Sequence, residues 1–439
     1  MKRLSIIALS VMMVCLSAFS VSAVDYKFDS ETVSKAVYLE NLDVGTVVYE
    51  KNSDQKMYPA STTKIMTFIV TAENVSDWDS TYVTIKQDVI DGLDPESTVM
   101  GLASHVGEKV SVKDLLYGLM LPSGNDAALV LADYIGGSVS GFAEKMNAKA
   151  AELGCTNTHF SNPHGLSDSN HYSTAHDMAL IAKHAMTISG FMEVCNTVYY
   201  TPDGFDTIHN TNYMIDRDAE GGMYYYEYTK GIKTGYLDEA GKCLVTSADK
   251  DGKKYLCVCL GADYSFEENV NYAMLDTSKL YNWAYENLSV QTVYSPSDSL
   301  ASVDVKNSEN GKKLSAVPEK AISALLPNNY DKNKLKVTVN CPEQVEAPVK
   351  KGDVLGTVSV KYEDLELGET KLLAAEDVAS KASPVEEFIS ENKTPVIILA
   401  AALVLAVILL IVLLSVHSAK KRRRAAQRTG SGQGRRYRD

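Results

Sequence analysis

Ser61 and Lys64 stand three residues apart in Pro59-Ala60-Ser61-Thr62-Thr63-Lys64, directly before the apolar run Ile65-Met66-Thr67-Phe68-Ile69-Val70. A serine hydroxyl is a poor nucleophile at its free pKa, and a basic side chain one turn away is one way to activate it. The same Ser-x-x-Lys spacing occurs at Ser53, Ser247, Ser390 and Ser418, so spacing alone chooses no site. Ser61 differs from these in standing at an expected helix start, where free backbone N–H groups and the dipole favour a developing negative charge. Two further motifs follow in order, Ser123-Gly124-Asn125 and Lys233-Thr234-Gly235. Ser-x-Asn recurs at Ser308 and Ser390, whereas Lys-Thr-Gly occurs once.

The surrounding pattern predicts the elements that carry these residues. Apolar runs on either side of Asn41 to Gly45 predict an opening hairpin over 36–50, followed by the helix that starts near Ser61. Residues 112–154 read as a helical block, with Gly136-Gly137 and Gly154 closing segments. Thr174-Ala175-His176-Asp177 has the form of a capping box, which makes His176 a surface helix residue. Strands are expected over 230–236, 243–248 and 255–262, the last two joined across Asp249-Lys250-Asp251-Gly252, and then a helix over 267–288. Strands at both ends with helices between predict one α+β domain over 24–288, built on an antiparallel sheet with a helical block. After residue 288 alternation dominates, with Leu335, Val337, Val339 and Cys341 on one face and Val358, Val360 and Tyr362 on another. This predicts a separate small all-β domain over 289–376 and a linker over 377–394.

The ends of the chain read as targeting segments. Lys2 and Arg3, an apolar run from Leu4 to Phe19 and the small residues Val21-Ser22-Ala23 predict a signal peptide over 1–23. Residues 395–416 carry no charge, and as a helix they would span about 33 Å against a hydrocarbon core of about 30 Å. The cluster Lys420, Lys421, Arg422, Arg423, Arg424 begins a basic tail, 417–439, that the positive-inside rule places in the cytoplasm, with the rest of the chain outside a single-pass plasma-membrane anchor.

The 439-residue chain has a net charge of −13. The tail carries nine Lys/Arg against one Asp, so residues 24–394 hold a net −23. Such an acidic body excludes nucleic acid as a partner; the tail answers to topology and anionic lipid. Six cysteines follow the leader, at 155, 195, 243, 257, 259 and 341, without the dense spacing of a disulfide framework, and free thiols are expected. Cys257 and Cys259 alternate with Leu256, Val258 and Leu260 as in a buried strand. No Cys-x-x-Cys pair or His-Glu-x-x-His motif suggests a metal, and no cofactor is expected.

Together, Pro-Ala-Ser-Thr-Thr-Lys at 59–64, Ser-Gly-Asn-Asp-Ala at 123–127, Asn-Pro-His-Gly-Leu at 162–166 and Gly-Ile-Lys-Thr-Gly-Tyr at 231–236 resemble the low-molecular-mass penicillin-binding proteins. These are serine-type D-alanyl-D-alanine carboxypeptidases of the peptidase S11 family. The resemblance extends over nearly all of the exported region and implies a β-lactamase/transpeptidase-like fold. It implies a peptidoglycan stem peptide as substrate and β-lactam antibiotics as covalent inhibitors. Ser61 is then the acylated nucleophile, Lys64 its base and Ser123 a proton relay. Asn125 would hold the lysine or the substrate amide, and Lys233, Thr234 and Gly235 the substrate's terminal carboxylate and backbone. The N–H groups of Ser61 and Tyr236 would form the oxyanion hole.

Leu237 stands where many relatives have threonine, which leaves substrate preference open. His164 reads as a structural loop residue. Tyr224, Tyr225, Tyr226 and Tyr228 either line the cleft or pack a strand. Three other readings share the motifs or the fold: a D,D-endopeptidase acting on cross-links, a non-catalytic wall-binding scaffold, and a β-lactamase. Against the last stand the lack of a Glu-x-x-x-Asn segment in the helical region and the presence of a stalk and anchor.

Overall fold

The structure is a computed structural model that describes residues 26–429, apart from 96, 266–269, 309–310 and 383. The expected leader and the last ten residues of the tail lie outside the described residues. Five antiparallel strands form the central sheet in the spatial order Thr46–Lys51, Ala36–Asn41, Lys253–Ala262, Gly241–Lys250, Thr229–Leu237. The Lys-Thr-Gly strand is therefore an edge, with one side of its backbone free of sheet pairing.

Lys253–Ala262 lies in the middle of the sheet, and the alternation read from its sequence sorts its side chains onto two faces. Leu256, Val258 and Leu260 enter the core beneath the helices, while Tyr255, Cys257 and Cys259 enter a second core. That second core contains Leu280, Tyr281 and Ala284 of the helix Tyr272–Asn287. All six described cysteines are free thiols, five of them buried.

The helical block resolves into Val112–Met120, Asn125–Gly136 and Val139–Glu152. The break at Leu121-Pro122-Ser123-Gly124 is what frees Ser123 from a helix. The N-cap half of the expected capping box forms, with the Thr174 hydroxyl accepting the Asp177 N–H at 3.0 Å at the start of Ala175–Ala185, while the Asp177 carboxylate accepts from the Asn157 N–H and the Thr158 hydroxyl. His176 is partly exposed, its Nδ1 3.6 Å from both Asp54 and Asp177.

Three differences from the sequence reading concern boundaries. Ser61 is not on the α-helix but in a 3₁₀ turn, Ala60–Thr63, that runs into the helix Lys64–Asn74. The helix expected over 267–288 begins at Tyr272, after a short strand pair of Tyr264–Ser265 with Val270–Asn271. Within the stretch read as a linker, Pro384–Glu391 is helical, because Pro384 supplies a good first helical residue and Val385, Phe388 and Ile389 share one side.

Compactness divides the chain differently from a cut at residue 288. One unit holds residues up to 295 together with 320–338 and 358–370; the other holds 296–319, 339–357 and 371 onward. In the first, Leu288–Tyr294 pairs antiparallel with Ile322–Pro327, and Leu325, Leu326, Tyr362 and Leu365 join the second core. In the second, Ala301–Lys306 pairs antiparallel with Lys313–Pro318 and parallel with Gln344–Glu346. Among the described residues between 288 and 374 the chain forms strands with short 3₁₀ turns, and in the later helix Lys393–Thr429 the stretch Lys393–Arg424 is long and apolar enough to cross a membrane.

Candidate active site

In a 3₁₀ turn residues three apart eclipse one another, so the local backbone at 60–64 sets Lys64 beside Ser61. Lys64 Nζ lies 3.0 Å from Ser61 Oγ. Its other two contacts are the Asn125 side-chain oxygen at 2.6 Å and the His164 backbone oxygen at 2.8 Å. Lys64 is fully buried, on a helix whose residues from Lys64 to Thr71 are all buried. Burial, reinforced by the positive charge of Lys233, holds its pKa well below the usual lysine range; Asp126 opposes this weakly. Burial likewise brings Lys233 down to about 7.

The second motif is set by its break in the helices. Ser123 adopts φ 65°, a left-handed conformation that costs a non-glycine residue about 1–2 kcal/mol. Ala60, next to the nucleophile, is left-handed too, at φ 47°. Such backbone persists where the surroundings over-determine it, and here Thr98 Oγ1 donates to the Ser123 carbonyl at 2.7 Å. Ser123 Oγ is buried and has no partner among the described residues, although it lines the cleft with Ser61. Asn125 presents its amide oxygen to the Lys64 donor, which leaves Nδ2 to donate to Ser97 Oγ at 3.0 Å. Asp126 is fully buried and accepts the backbone N–H groups of Met100, Gly101 and Leu102 at 2.9–3.1 Å, fixing the loop that carries Ser97 and Thr98.

The third motif closes the cleft from the sheet edge. A Cβ added to Gly235 would sit 3.0 Å from the Ser61 nitrogen and 3.1 Å from Ala60 Cβ, so only glycine lets the strand approach the nucleophile this closely. Thr234 and Thr211 hydroxyls are 2.6 Å apart, and the Thr211 N–H donates to the Leu121 carbonyl at 3.1 Å. Thr211 thus ties the Ser-Gly-Asn loop to the Lys-Thr-Gly strand. The resulting cleft, about 390 Å³, is lined by Ser61, Ser123, Asn125, Thr234, Gly235 and Tyr236 from the motifs. The two buried lysines stand behind it.

Some contributors carried no sequence signal. Thr211, Ser97 and Thr98 lie in irregular segments with no motif around them, and Lys242, which also lines the cleft, stands just before the strand expected over 243–248. His164 is a loop residue as read, its ring neutral with a pKa lowered to about 3 by burial, yet its carbonyl is one of the three groups that hold Lys64. The tyrosine run meets both readings: Tyr224 lines the cleft and belongs to the second core, and Tyr226 and Tyr228 pack against that core. Leu237 lines the cleft and packs on the core beneath the helices.

Gly165 shows how tightly the His164 carbonyl is placed. At φ +92°, its added Cβ would lie 1.9 Å from the Ala60 oxygen. Gly165→Ala is therefore expected to lose about 2–4 kcal/mol from strain and overlap together, lowering Tm by roughly 5–10 °C. Thermal unfolding checks this, and an unchanged Tm would contradict the packing described.

The model of the D-alanyl-D-alanine carboxypeptidase family, peptidase S11, matches residues 22–264. The chain belongs to this family. A second match covers this S11 protein's residues 289–380, to the C-terminal domain of penicillin-binding protein 5. Among curated relatives, the D-alanyl-D-alanine carboxypeptidase DacF of Bacillus subtilis is 32% identical over 388 residues, 86% of this chain and 95% of the relative. Penicillin binding protein 5 of Haemophilus influenzae has a similar structure, with TM-score 0.60 at 25% identity over 80% of this chain and 99% of that one. The Streptomyces K15 DD-transpeptidase superposes with TM-score 0.53 at 33% identity, covering 58% of this S11 chain and 98% of its own.

Proposed function

We infer that this S11 protein is a serine D,D-carboxypeptidase that removes the terminal D-alanine from peptidoglycan stem pentapeptides and is acylated by penicillins. The observation that carries the reading is the coordination of Lys64. Two of its three contacts are carbonyl oxygens, which only accept. A neutral amine has two N–H groups and one lone pair. With both N–H groups committed to Asn125 and His164, the lone pair is left facing Ser61, whose hydroxyl then donates to it at 3.0 Å. This is the arrangement of a base ready to take the serine proton, and burial beside Lys233 favours the neutral form it requires.

Ser61 Oγ attacks the carbonyl of the penultimate D-alanine as its proton passes to Lys64. The tetrahedral oxyanion forms at the N–H groups of Ser61 and Tyr236, next to Gly235, whose missing side chain keeps the strand close to the Ser61 nitrogen. Ser123, with no competing protein partner for its hydroxyl, carries the proton on to the leaving amine. The terminal D-alanine departs, and water deacylates Ser61 with Lys64 again as base. Thr234, paired to Thr211, and Lys233 bind the substrate's terminal carboxylate, while the free edge of the strand receives the peptide backbone.

The leader, the apolar helix and the basic cluster support a single-pass plasma-membrane protein with its active site outside and its C-terminus in the cytoplasm. Release of free D-alanine from a stem pentapeptide by the purified protein tests the activity. Roughly one D-alanine per pentapeptide is expected. Cleavage of cross-linked dimers without that release would mean an endopeptidase, and no release from either would leave only a scaffold.

A further inference from the structure

The substrate is an anion, yet the two motif lysines present little charge to it. Lys64 and Lys233 are 0% and 1% exposed and stand behind the cleft wall. Among the described residues that line the cleft itself, Lys242 is the one Lys or Arg, and Glu220 adds a negative charge. Residues 24–394 as a whole hold a net −23. A carboxylate entering this site needs a compensating cation, and the lining offers Lys242.

The position of Lys242 is built rather than incidental. Sheet register sets it directly opposite Tyr236. Its Nζ lies 4.0 Å from the Tyr236 ring centroid and 4.1 Å from that of Tyr264, and the two rings meet edge to face at 5.6 Å. Tyr236 is itself fixed by donating its hydroxyl to Asp238 at 2.7 Å. The faces of two rings hold an ammonium in place by their quadrupoles without neutralising it. No described carboxylate approaches Nζ as an ion pair, and burial alone lowers its pKa, with no acidic neighbour raising it. A partly desolvated cation of this kind gains more from an arriving anion than a solvated one does.

Side chains two apart on a strand share a face, and directly opposite residues do too. Thr234, Tyr236 and Lys242 therefore stand on one face, with the Thr234 hydroxyl about 7 Å along the strand from Tyr236. A lysine side chain spans that distance. Leu237, meanwhile, offers no hydroxyl.

We propose that Lys242, held between Tyr236 and Tyr264, joins Thr234 and the buried Lys233 in binding the terminal carboxylate of the departing D-alanine as the cation at the cleft surface, and by the same geometry the carboxylate of a β-lactam. It is a binding residue for a free carboxylate, and the proposal rests on the D,D-peptidase reading above.

Two acyl-D-alanyl thioesters test it, one with mercaptoacetate as leaving group and one with its methyl ester, followed by thiol release. The wild-type chain turns over both and prefers the free acid. Lys242→Met reduces the ratio of kcat/KM, acid over methyl ester, ten- to a hundredfold, chiefly through KM for the acid, and Lys242→Arg restores most of it. Because the readout is a ratio within one variant, a partial loss of folded protein does not alter it. An unchanged ratio in Lys242→Met overturns the proposal while leaving the D,D-peptidase reading intact. Turnover of neither ester by the wild-type chain overturns that reading, and the proposal with it.

Discussion

Ser61→Ala is expected to take up no fluorescent penicillin, and Lys64→Arg to be acylated about 10³–10⁴-fold more slowly than the wild type. Removing the nucleophile of an acyl-transfer unit costs on the order of 10⁶ in rate, beyond what a gel or an hour's incubation can detect. The lysine variant separates two roles that Lys64 fills. Arginine keeps the positive charge but cannot release its proton at any pH the protein survives, so it cannot accept one from Ser61. Its larger head must also displace the Asn125 and His164 oxygens, which lie 2.6 and 2.8 Å from the amine. Covalent labelling of Ser61→Ala at the same rate as wild type, read by mass spectrometry of the intact chain, would remove Ser61 from the mechanism. Wild-type acylation of Lys64→Arg would show that the serine is activated by something else.

Lys233→Met should lose activity and gain stability. Folding lowers the Lys233 pKa from 10.5 to about 7. Between those values the unfolded chain binds the extra proton, so this lysine's destabilising effect is largest at low pH and fades as pH rises toward 10.5. At pH 7 linkage puts the penalty on the order of 4 kcal/mol. Methionine fills the same space without it and forfeits only the Nζ bond to the Thr234 carbonyl, about 1 kcal/mol. A gain of a few kcal/mol corresponds to a Tm higher by about 5–10 °C for a domain of this size.

Acylation falls about a hundredfold or more for want of the charge, and the pH profile shifts as well. Lys233 helps to hold the Lys64 pKa down. Without it that pKa rises, and since the base works only when neutral, the acid limb of the acylation profile moves to higher pH. A lower Tm, or an acid limb that stays in place, would contradict the electrostatic account. The buried lysine is thus a stability cost retained for chemistry.

The sequence by itself determined the parts whose geometry is local or periodic. A spacing of three residues at a helix start brings Lys64 to Ser61, in an α-helical or a 3₁₀ turn alike. Period-two alternation assigned Leu256, Val258 and Leu260 to one core and Cys257 and Cys259 to the other, because neighbouring strand residues always point to opposite faces. The order of the three motifs named the family and the chemistry. Element ends were read less well: the nucleophile falls just before the helix, and the helix expected over 267–288 begins at Tyr272.

What only the tertiary structure decided is the state of those residues. The carbonyl that commits a Lys64 N–H comes from His164, a hundred residues away, and any side chain at 164 would supply it. Thr211 joins two motifs by one hydroxyl and one N–H, and nothing in its neighbours announces this. Whether a lysine is withdrawn behind a cleft wall with its pKa lowered, like Lys64 and Lys233, or stands at the cleft surface, like Lys242, depends on how much water the packing of distant segments leaves it. A residue type names a possible base or cation; burial and the partners brought by the fold decide which it becomes.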